Sequence, residues 1–318
     1  MSTMAHGLPE LTYTATVDHA LIHRRHTSEA FLTDAVRTGP ATFVAAALLP
    51  AWHQHYGAHT GPSRHRDPLL LLECVRQAET FAAHTMFGAE SDAHFVLRHW
   101  NAEFGRFPHG YGEAELLLTA TTANRRAVRD RLRGLDLDVE LWSDGQRVGH
   151  VAMSVGYLSA AAFRVVRARA NDGPPVSTQD LPPTAGTPVR PGAVGRRRAT
   201  DVLLLDVAAA RDEVTARLRV ATENRSLFDH PQDHVPAMVL LEGARQLAAL
   251  ATAEWSGRAP EHTELVAQES TFDTYAELTA PVELVATPAG TAVDVAFRQQ
   301  GRELAHATLV MGRRGDSR

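Results

Sequence analysis

The sequence predicts an α+β fold assembled from two copies of one unit, each an antiparallel sheet wrapped around a long buried helix. Three observations predict it. The run Pro236-Ala-Met-Val-Leu-Leu-Glu242-Gly-Ala-Arg245-Gln246-Leu-Ala-Ala-Leu-Ala251, read as a helix, is apolar on nearly every side, the pattern of a buried helix. The run Pro68-Leu-Leu-Leu-Leu-Glu73-Cys-Val-Arg76-Gln77 carries the same Glu-x-x-Arg-Gln core, and Arg76 to Arg245 and Gln77 to Gln246 are both steps of 169 residues. Around each run lie segments with strand alternation, so each half reads as strand, loop, buried helix and then several antiparallel strands.

Residues 1–17 read as a flexible lead-in. From His23 a basic turn passes into a strand-like stretch towards Asp34, and Thr42–Leu49 reads as a buried strand, β-branched and aromatic at its start. A His- and Gly-rich loop from Trp52 to Arg66 delivers the first helix, with Asp67 as its N-cap and Pro68 at its first position. Strands follow at Ala93–Trp100 and Glu115–Thr121, then a hairpin over Asp138–Val155 that turns at Asp144-Gly145. These elements make a first repeat over 18–165. Pro174-Pro175, Pro182-Pro183, Pro188 and Pro191 mark 166–193 as an extended linker. The second repeat spans 194–312, with strands at Glu213–Thr222, Thr263–Phe272, Pro281–Ala286, Thr291–Phe297 and Glu303–Met311, and 313–318 is a tail. Beyond the helices Ala102-Glu103-Phe104 is matched to Ala276-Glu277-Leu278, an offset of 174 that implies about five residues of loop difference.

Composition narrows the chemistry. All 32 basic residues are arginine, which excludes Schiff-base chemistry, a covalent pyridoxal phosphate and a Walker-A lysine. An anionic substrate group must then be held by Arg, His, backbone amides or a helix N-terminus. A net charge of -5 gives no global reason to expect nucleic acid or an anionic membrane as partner. No apolar run is long enough to span a bilayer, and the N-terminus lacks a basic and then apolar leader, so the cytoplasm is the expected compartment. The single cysteine, Cys74, reads as an inert core residue. His230 and His234 stand four apart, but Pro231 and Pro236 make that stretch a loop, so no metal is assigned. No cofactor is expected. His53, His55, His59 and His65 read as solvent-facing loop residues, and Arg196-Arg-Arg198 as a solvated turn able to receive an acidic carrier protein.

A strand layer around one long apolar helix, preceded by a His/Pro loop, is the arrangement of the hotdog fold. The phrase His230-Pro-Gln-Asp-His-Val-Pro236-Ala-Met-Val-Leu-Leu-Glu242 resembles the active-site segment of hotdog hydroxyacyl-carrier-protein dehydratases, where a helix carboxylate follows a Pro by six residues. The loop is shorter here, Ala237 stands where that family has Gly, and Arg245 is foreign to it. The paired motifs, Asp-Pro-Leu-Leu-Leu…Glu-x-x-Arg-Gln and Asp-His-Val-Pro…Leu-Leu-Glu-x-x-Arg-Gln, are more similar to the AfsA-type A-factor biosynthesis proteins, over both repeats. The resemblance implies a double hotdog and an acyltransferase that moves a β-ketoacyl group from an acyl carrier protein to the hydroxyl of dihydroxyacetone phosphate, towards a γ-butyrolactone-type signal. The chain would be its own pseudo-dimer, with a further homodimer possible. A hotdog thioesterase or dehydratase, or a non-catalytic acyl- or lactone-binding module, are the alternatives.

Such a transfer needs a base at the alcohol, donors for the oxyanion and a grip on the phosphate. The expected catalytic residues are Glu73 or Glu242, with a pKa raised by burial, together with His230 and Asp233. Expected substrate contacts are Arg76 and Arg245 on the phosphate, Gln77 and Gln246 as orienting groups, the amides of Ala237 and Met238 at a helix N-terminus, and His234, Trp52 and His53 in the loops. By hotdog logic Glu73 faces the His230–His234 loop and Glu242 faces Trp52 and His53. A second reading of the helix motif stays open: Glu and Arg at i, i+3 on a buried helix also make an internal ion pair.

Overall fold

The structure, a computed structural model, describes residues 7–61, 66–108, 112–170 and 175–313. The start of the expected lead-in, His65, the linker residues 171–174 and the tail from 314 lie outside the described residues. The chain divides into two compact units: Met1–Trp52 with Arg64–Val166, and His53–Ser63 with Arg167–Arg318.

The first unit contains β1 (Leu32–Arg37), β2 (Thr42–Leu49), α1 (Pro68–Thr85), β3 (His94–Phe104), β4 (Ala114–Val128), β5 (Arg131–Ser143) and β6 (Gln146–Leu158). Its strands lie in the order β1-β2-β4-β5-β6-β3, with each pair antiparallel. The helix begins where the sequence dictates, because the Asp67 side chain accepts from the Leu69 amide at 2.9 Å and Pro68 needs no partner for a missing N–H. Leu69 to Val75 are all buried, which explains a segment apolar on every side. Cys74 lies in that core, its thiol pushed well up by burial and by the neighbouring Glu73 charge. The β5–β6 hairpin turns at Asp144 (φ 49°) and Gly145 (φ 72°), both left-handed, the conformation a two-residue turn of primed type requires.

A helix that the sequence reading did not include, α2 (Ala160–Ala170), follows β6. It runs through Arg167, the residue with which the second unit resumes. That unit contains β7 (Leu204–Ala210), β8 (Glu213–Leu218), β9 (His234–Val235), α3 (Ala237–Ser256), β10 (Thr263–Phe272), β11 (Ala276–Glu277), β12 (Glu283–Ala289), β13 (Ala292–Gln299) and β14 (Arg302–Arg313). Its main sheet has the order β7-β8-β12-β13-β14-β10, and β9 and β11 form a separate two-stranded ribbon. Substituting β7 for β1, β8 for β2, β12 for β4, β13 for β5, β14 for β6 and β10 for β3 reproduces the topology of the first unit. Each unit is a sheet with one buried helix, so the duplication read from the helices extends to the whole fold.

One expected correspondence is wrong. Ala102-Glu103-Phe104 lies in β3, whereas Ala276-Glu277 is β11, in the ribbon. The strand equivalent to β3 is β10, and a shared irregularity aligns them: the register shifts between Leu97 and His99 in one and between Leu265 and Ala267 in the other, a step of 168 residues. A three-residue likeness was too short to fix register, whereas a bulge is a backbone event that duplication preserves.

In the second unit Gly243 lets strands approach the helix. A Cβ there would stand 2.7 Å from Leu218 Cδ1 and 3.3 Å from Leu284 Cδ2, on β8 and β12. Gly243→Val is therefore expected to lower the unfolding free energy by about 1–3 kcal/mol through overpacking, measured by urea denaturation; unchanged stability would contradict this close approach.

Candidate active site

Each unit holds one buried carboxylate in the same cage. In the first, Glu73 accepts at Oε1 from Arg24 Nε (2.9 Å), Arg76 Nη2 (2.7 Å) and Gln77 Nε2 (2.6 Å), and at Oε2 from Arg76 Nε (2.8 Å). In the second, Glu242 accepts at Oε1 from Arg196 Nε (2.9 Å) and Gln246 Nε2 (2.5 Å), and at Oε2 from Arg245 Nε (3.0 Å) and Nη2 (2.5 Å). The two glutamines extend the cage into the backbone. Gln77 Oε1 accepts from the Phe31 and Leu32 amides, and Gln246 Oε1 from the Leu203 amide. Their Nε2 groups donate to Glu29 and Asp201 carbonyls. Helix and first strand are thus sewn together through one carboxylate in each unit.

This geometry corrects the pKa expected for Glu73. Burial by itself raises it, but the charges of Arg24 and Arg76 and the hydrogen bonds from Arg76 and Gln77 outweigh burial and pull it down to about 2. A carboxylate held that low is a poor base for an alcohol.

The second unit builds more around its cage. Arg196 is 0% exposed, so this residue of the expected solvated turn is instead core, because its guanidinium is the second arm on Glu242, while Arg197 is exposed. The segment His53–Ser63 belongs to this unit, and Arg196 Nη1 donates to the His55 carbonyl at 2.9 Å. His53 and His55 are buried, not solvent-facing; Trp52 is 68% exposed. His55 Nδ1 meets Asp201 Oδ1 at 2.9 Å, with Asn224 Nδ2 on the same oxygen at 3.0 Å. Burial and then Arg196 push the His55 pKa down against the pull of Asp201, so a neutral ring is favoured. Asp201 goes the other way: burial raises it, but hydrogen bonds from His55 and Arg198 and nearby positive charge hold it at about 2.

The loop before α3 carries two adjacent imidazole–carboxylate pairs. His230 Nδ1 is 3.5 Å from Asp229 Oδ2, and its Nε2 is 2.7 Å from the Gln232 amide nitrogen, so both ring nitrogens are engaged inside the loop. His234 Nδ1 is 2.6 Å from Asp233 Oδ1, and Tyr275 lies edge-on to its ring at 4.8 Å. Against an ionised Asp233 the Nδ1 position carries the proton, which in the neutral ring leaves the lone pair on Nε2. Behind the pair stands Arg167, 2% exposed, which donates to Asp233 Oδ2 (3.0 Å) and to the Asp233 carbonyl (2.8 Å). For Asp233, burial raises the pKa, but the hydrogen bond and charge of His234 and the charge of Arg167 win and hold it below its ordinary value. Three residues after His234, α3 starts at Ala237, with Pro236 offering no side-chain cap. The two helix starts thus differ: the Asp67 side chain caps that of α1, while the N-cap residue of α3, Pro236, makes no side-chain cap hydrogen bond.

The first unit has its own unusual acid. Glu79, buried on α1, accepts from Tyr157 Oη at 2.5 Å and from Thr80 Oγ1 at 3.2 Å, and burial pushes its pKa up to about 7 against those bonds. Among the described residues no group of three or more His, Cys, Asp or Glu is set to hold a metal ion, and no helix is long and apolar enough to cross a membrane.

Several of these groups were not singled out from the sequence. Arg24 could have been: it stands 172 residues before Arg196, which reads from sequence only as part of a solvated turn, and each opens the stretch that begins a repeat. Arg167 could not, since hydrophobicity would have buried Val165 and Val166, which are instead exposed.

Two tandem units, each a sheet wrapped on one helix, with imidazole–carboxylate pairs at a helix start, define a double-hotdog enzyme architecture. The family model of the A-factor biosynthesis hotdog domain (AfsA) matches residues 9–159 and again 177–312. The chain belongs to this family. It is 32% identical over 280 residues to a 2-oxo-3-(phosphooxy)propyl 3-oxoalkanoate synthase from Streptomyces virginiae, covering 86% of this chain and 88% of that one. A synthase of the same name from Streptomyces griseus is 31% identical over 309 residues, covering 92% and 94%. Among solved structures, a pyran synthase domain from module nine of the sorangicin pathway aligns with a TM-score of 0.52 at 13% identity, covering 91% of this chain and 99% of that one. The dehydratase domain of the CurF module of curacin polyketide synthase gives 0.51 at 10% identity, covering 88% and 97%. At such identities these two show the fold alone.

Two predictions follow from the carboxylates. Glu242→Gln leaves Arg196 and Arg245 without their counter-charge and is expected to cost about 3–5 kcal/mol of stability in chemical denaturation; a loss under about 1 kcal/mol would contradict the cage. Glu79 carries the opposite sign. Its folded pKa is raised from 4.5 to about 7, so its penalty is absent below pH 4.5, grows as pH rises to about 7 and is constant above. Glu79→Gln should accordingly raise the melting temperature at pH 8 and leave it nearly unchanged at pH 4.5, which thermal melts at the two pH values check.

Proposed function

We propose that this chain is an acyltransferase that moves a β-ketoacyl group from an acyl-carrier-protein thioester to a hydroxyl of dihydroxyacetone phosphate, an early step towards a γ-butyrolactone-type signal. The product named in its relatives supports this reading: a 3-oxoalkanoate ester of a 2-oxo-3-(phosphooxy)propyl group is what those two substrates give on loss of the thiol.

The carrying observation is the Asp233–His234 pair immediately before the N-terminus of α3, where Pro236 makes no side-chain cap hydrogen bond. In the proposed reaction His234 Nε2 removes the hydroxyl proton as the alkoxide oxygen attacks the thioester carbonyl. Charge that develops on the carbonyl oxygen is met by the Ala237 and Met238 amides and the positive end of the helix. As the tetrahedral species collapses, the C–S bond breaks and the imidazolium returns its proton to the departing sulfur. The phosphate is assigned to Arg245, a guanidinium on the same helix whose Nε and Nη2 already hold Glu242.

This assignment differs from the sequence-based one in the identity of the base. Glu73 is held too acidic by its cage, and both nitrogens of His230 are occupied by loop partners, whereas among the described residues no protein group is bonded to His234 Nε2. Glu73, Glu242, Gln77 and Gln246 then serve as the frame, and Arg76 as part of it.

The test follows thiol release from a β-ketoacyl carrier-protein thioester with and without dihydroxyacetone phosphate. Release that requires dihydroxyacetone phosphate is expected, with His234→Ala lowering kcat by about 10²–10⁴ while the melting temperature is kept. Equal release in its absence would make the protein a thioesterase, and full activity in His234→Ala would remove the imidazole from the reaction.

A further inference from the structure

Arg167, 2% exposed, is a buried basic group that the proposed reaction does not use, and the two valines before it on α2, Val165 and Val166, are exposed. Its whole fork is engaged. Nη1 and Nη2 reach Glu277 Oε1 (2.5 Å) and Oε2 (2.7 Å), Nε reaches Asp233 Oδ2 (3.0 Å), and Nη2 also reaches the Asp233 carbonyl (2.8 Å). The Tyr275 ring lies 4.8 Å from the guanidinium carbon and also meets the His234 ring. In the β9–β11 ribbon Glu277 stands directly opposite His234. Arg167, Asp233, Glu277, Tyr275 and His234 therefore form one cluster.

We infer that Arg167 is a positioning residue for His234, acting through Asp233; this rests on the reading of His234 as the base. The charge arithmetic supports a role beyond anchoring. A bidentate pair with Glu277 alone would satisfy a structural arginine. Here one positive charge serves two carboxylates, so the cluster keeps a net charge of one negative beside the imidazole. That charge is what stabilises the imidazolium formed when His234 takes the hydroxyl proton. Without the guanidinium, Asp233 and Glu277 repel each other, and Asp233 either takes a proton or turns away, releasing the ring. Holding both Asp233 oxygen sites at once, carboxylate and carbonyl, requires a planar fork that a lysine ammonium does not have.

The test compares Arg167→Ala and Arg167→Lys with the wild-type full-length chain. We expect Arg167→Ala to lower kcat about 10- to 100-fold with KM changed far less, and added guanidinium ion to restore part of the rate. The second readout does not depend on turnover: the ¹⁵N shifts of His234 should show a proton fixed on Nδ1 in the wild type and mixed tautomers in Arg167→Ala. If Arg167→Ala does not fold, Arg167→Lys carries the test, with kcat lowered at least about tenfold and the tautomer again mixed. A folded variant with unchanged kcat and an unchanged His234 tautomer overturns the inference. Mixed tautomers with unchanged kcat also overturn it, and point the failure at His234 as base, which His234→Ala then decides separately.

Discussion

The fold depends on a carboxylate buried between two guanidiniums and a carboxamide. Neither Glu73 nor Glu242 would be tolerated at 0% exposure without them, since an unpaired buried ion costs several kcal/mol. The cage converts that liability into a tie. Arg76 and Gln77, or Arg245 and Gln246, come from the helix itself, while Arg24 or Arg196 comes from the stretch that leads into the first strand. Because the carboxamide bonds backbone groups of that same stretch, helix and strand can take only one register. An apolar helix in an apolar sheet can slide or rotate at small cost; this one cannot.

Duplication preserved the cage and let its surroundings diverge. In the first unit, the helix start is closed by Asp67 and the notable acid is Glu79, hydrogen-bonded to Tyr157. In the second, the N-cap residue Pro236 makes no side-chain cap hydrogen bond, and the loop before the helix brings Asp229, His230, Asp233 and His234 within a few residues. Chemistry needs precise placement of a few polar groups, and a frame tied by a buried ion centre supplies it. The division of labour is thus between a conserved interior, identical in both units down to its donor atoms, and loops that differ.

Much of this was legible in the sequence. The motif Glu-x-x-Arg-Gln, its repetition, the Asp67-Pro68 helix start and the Asp144-Gly145 turn are local signals, each set by a few consecutive residues, and each produced the element it implied. What escaped was whatever depends on a distant partner. Burial argued for a raised Glu73 pKa until Arg24, 49 residues away, reversed it. Arg196-Arg-Arg198 looks like a solvated turn because nothing nearby in sequence shows that Arg196 reaches Glu242. His53 and His55 read as loop surface for the same reason, and the partner of Asp233 lies 66 residues upstream in a helix whose hydrophobicity pattern points the wrong way. Even the faulty match of Ala102 to Ala276 is of this kind, since strand register is fixed by pairing rather than by residue identity.

The central claim is that the duplicated glutamates are ionised structural centres rather than bases. The most direct measurement is a ¹³C NMR titration of the Glu73 side-chain carboxyl in the intact protein. The cage predicts a carboxylate shift that stays constant from pH 8 down to about 4, with protonation only towards pH 2 or with unfolding. A midpoint above the ordinary carboxylate value, in the folded protein, would contradict the cage and return Glu73 to the position of a general base.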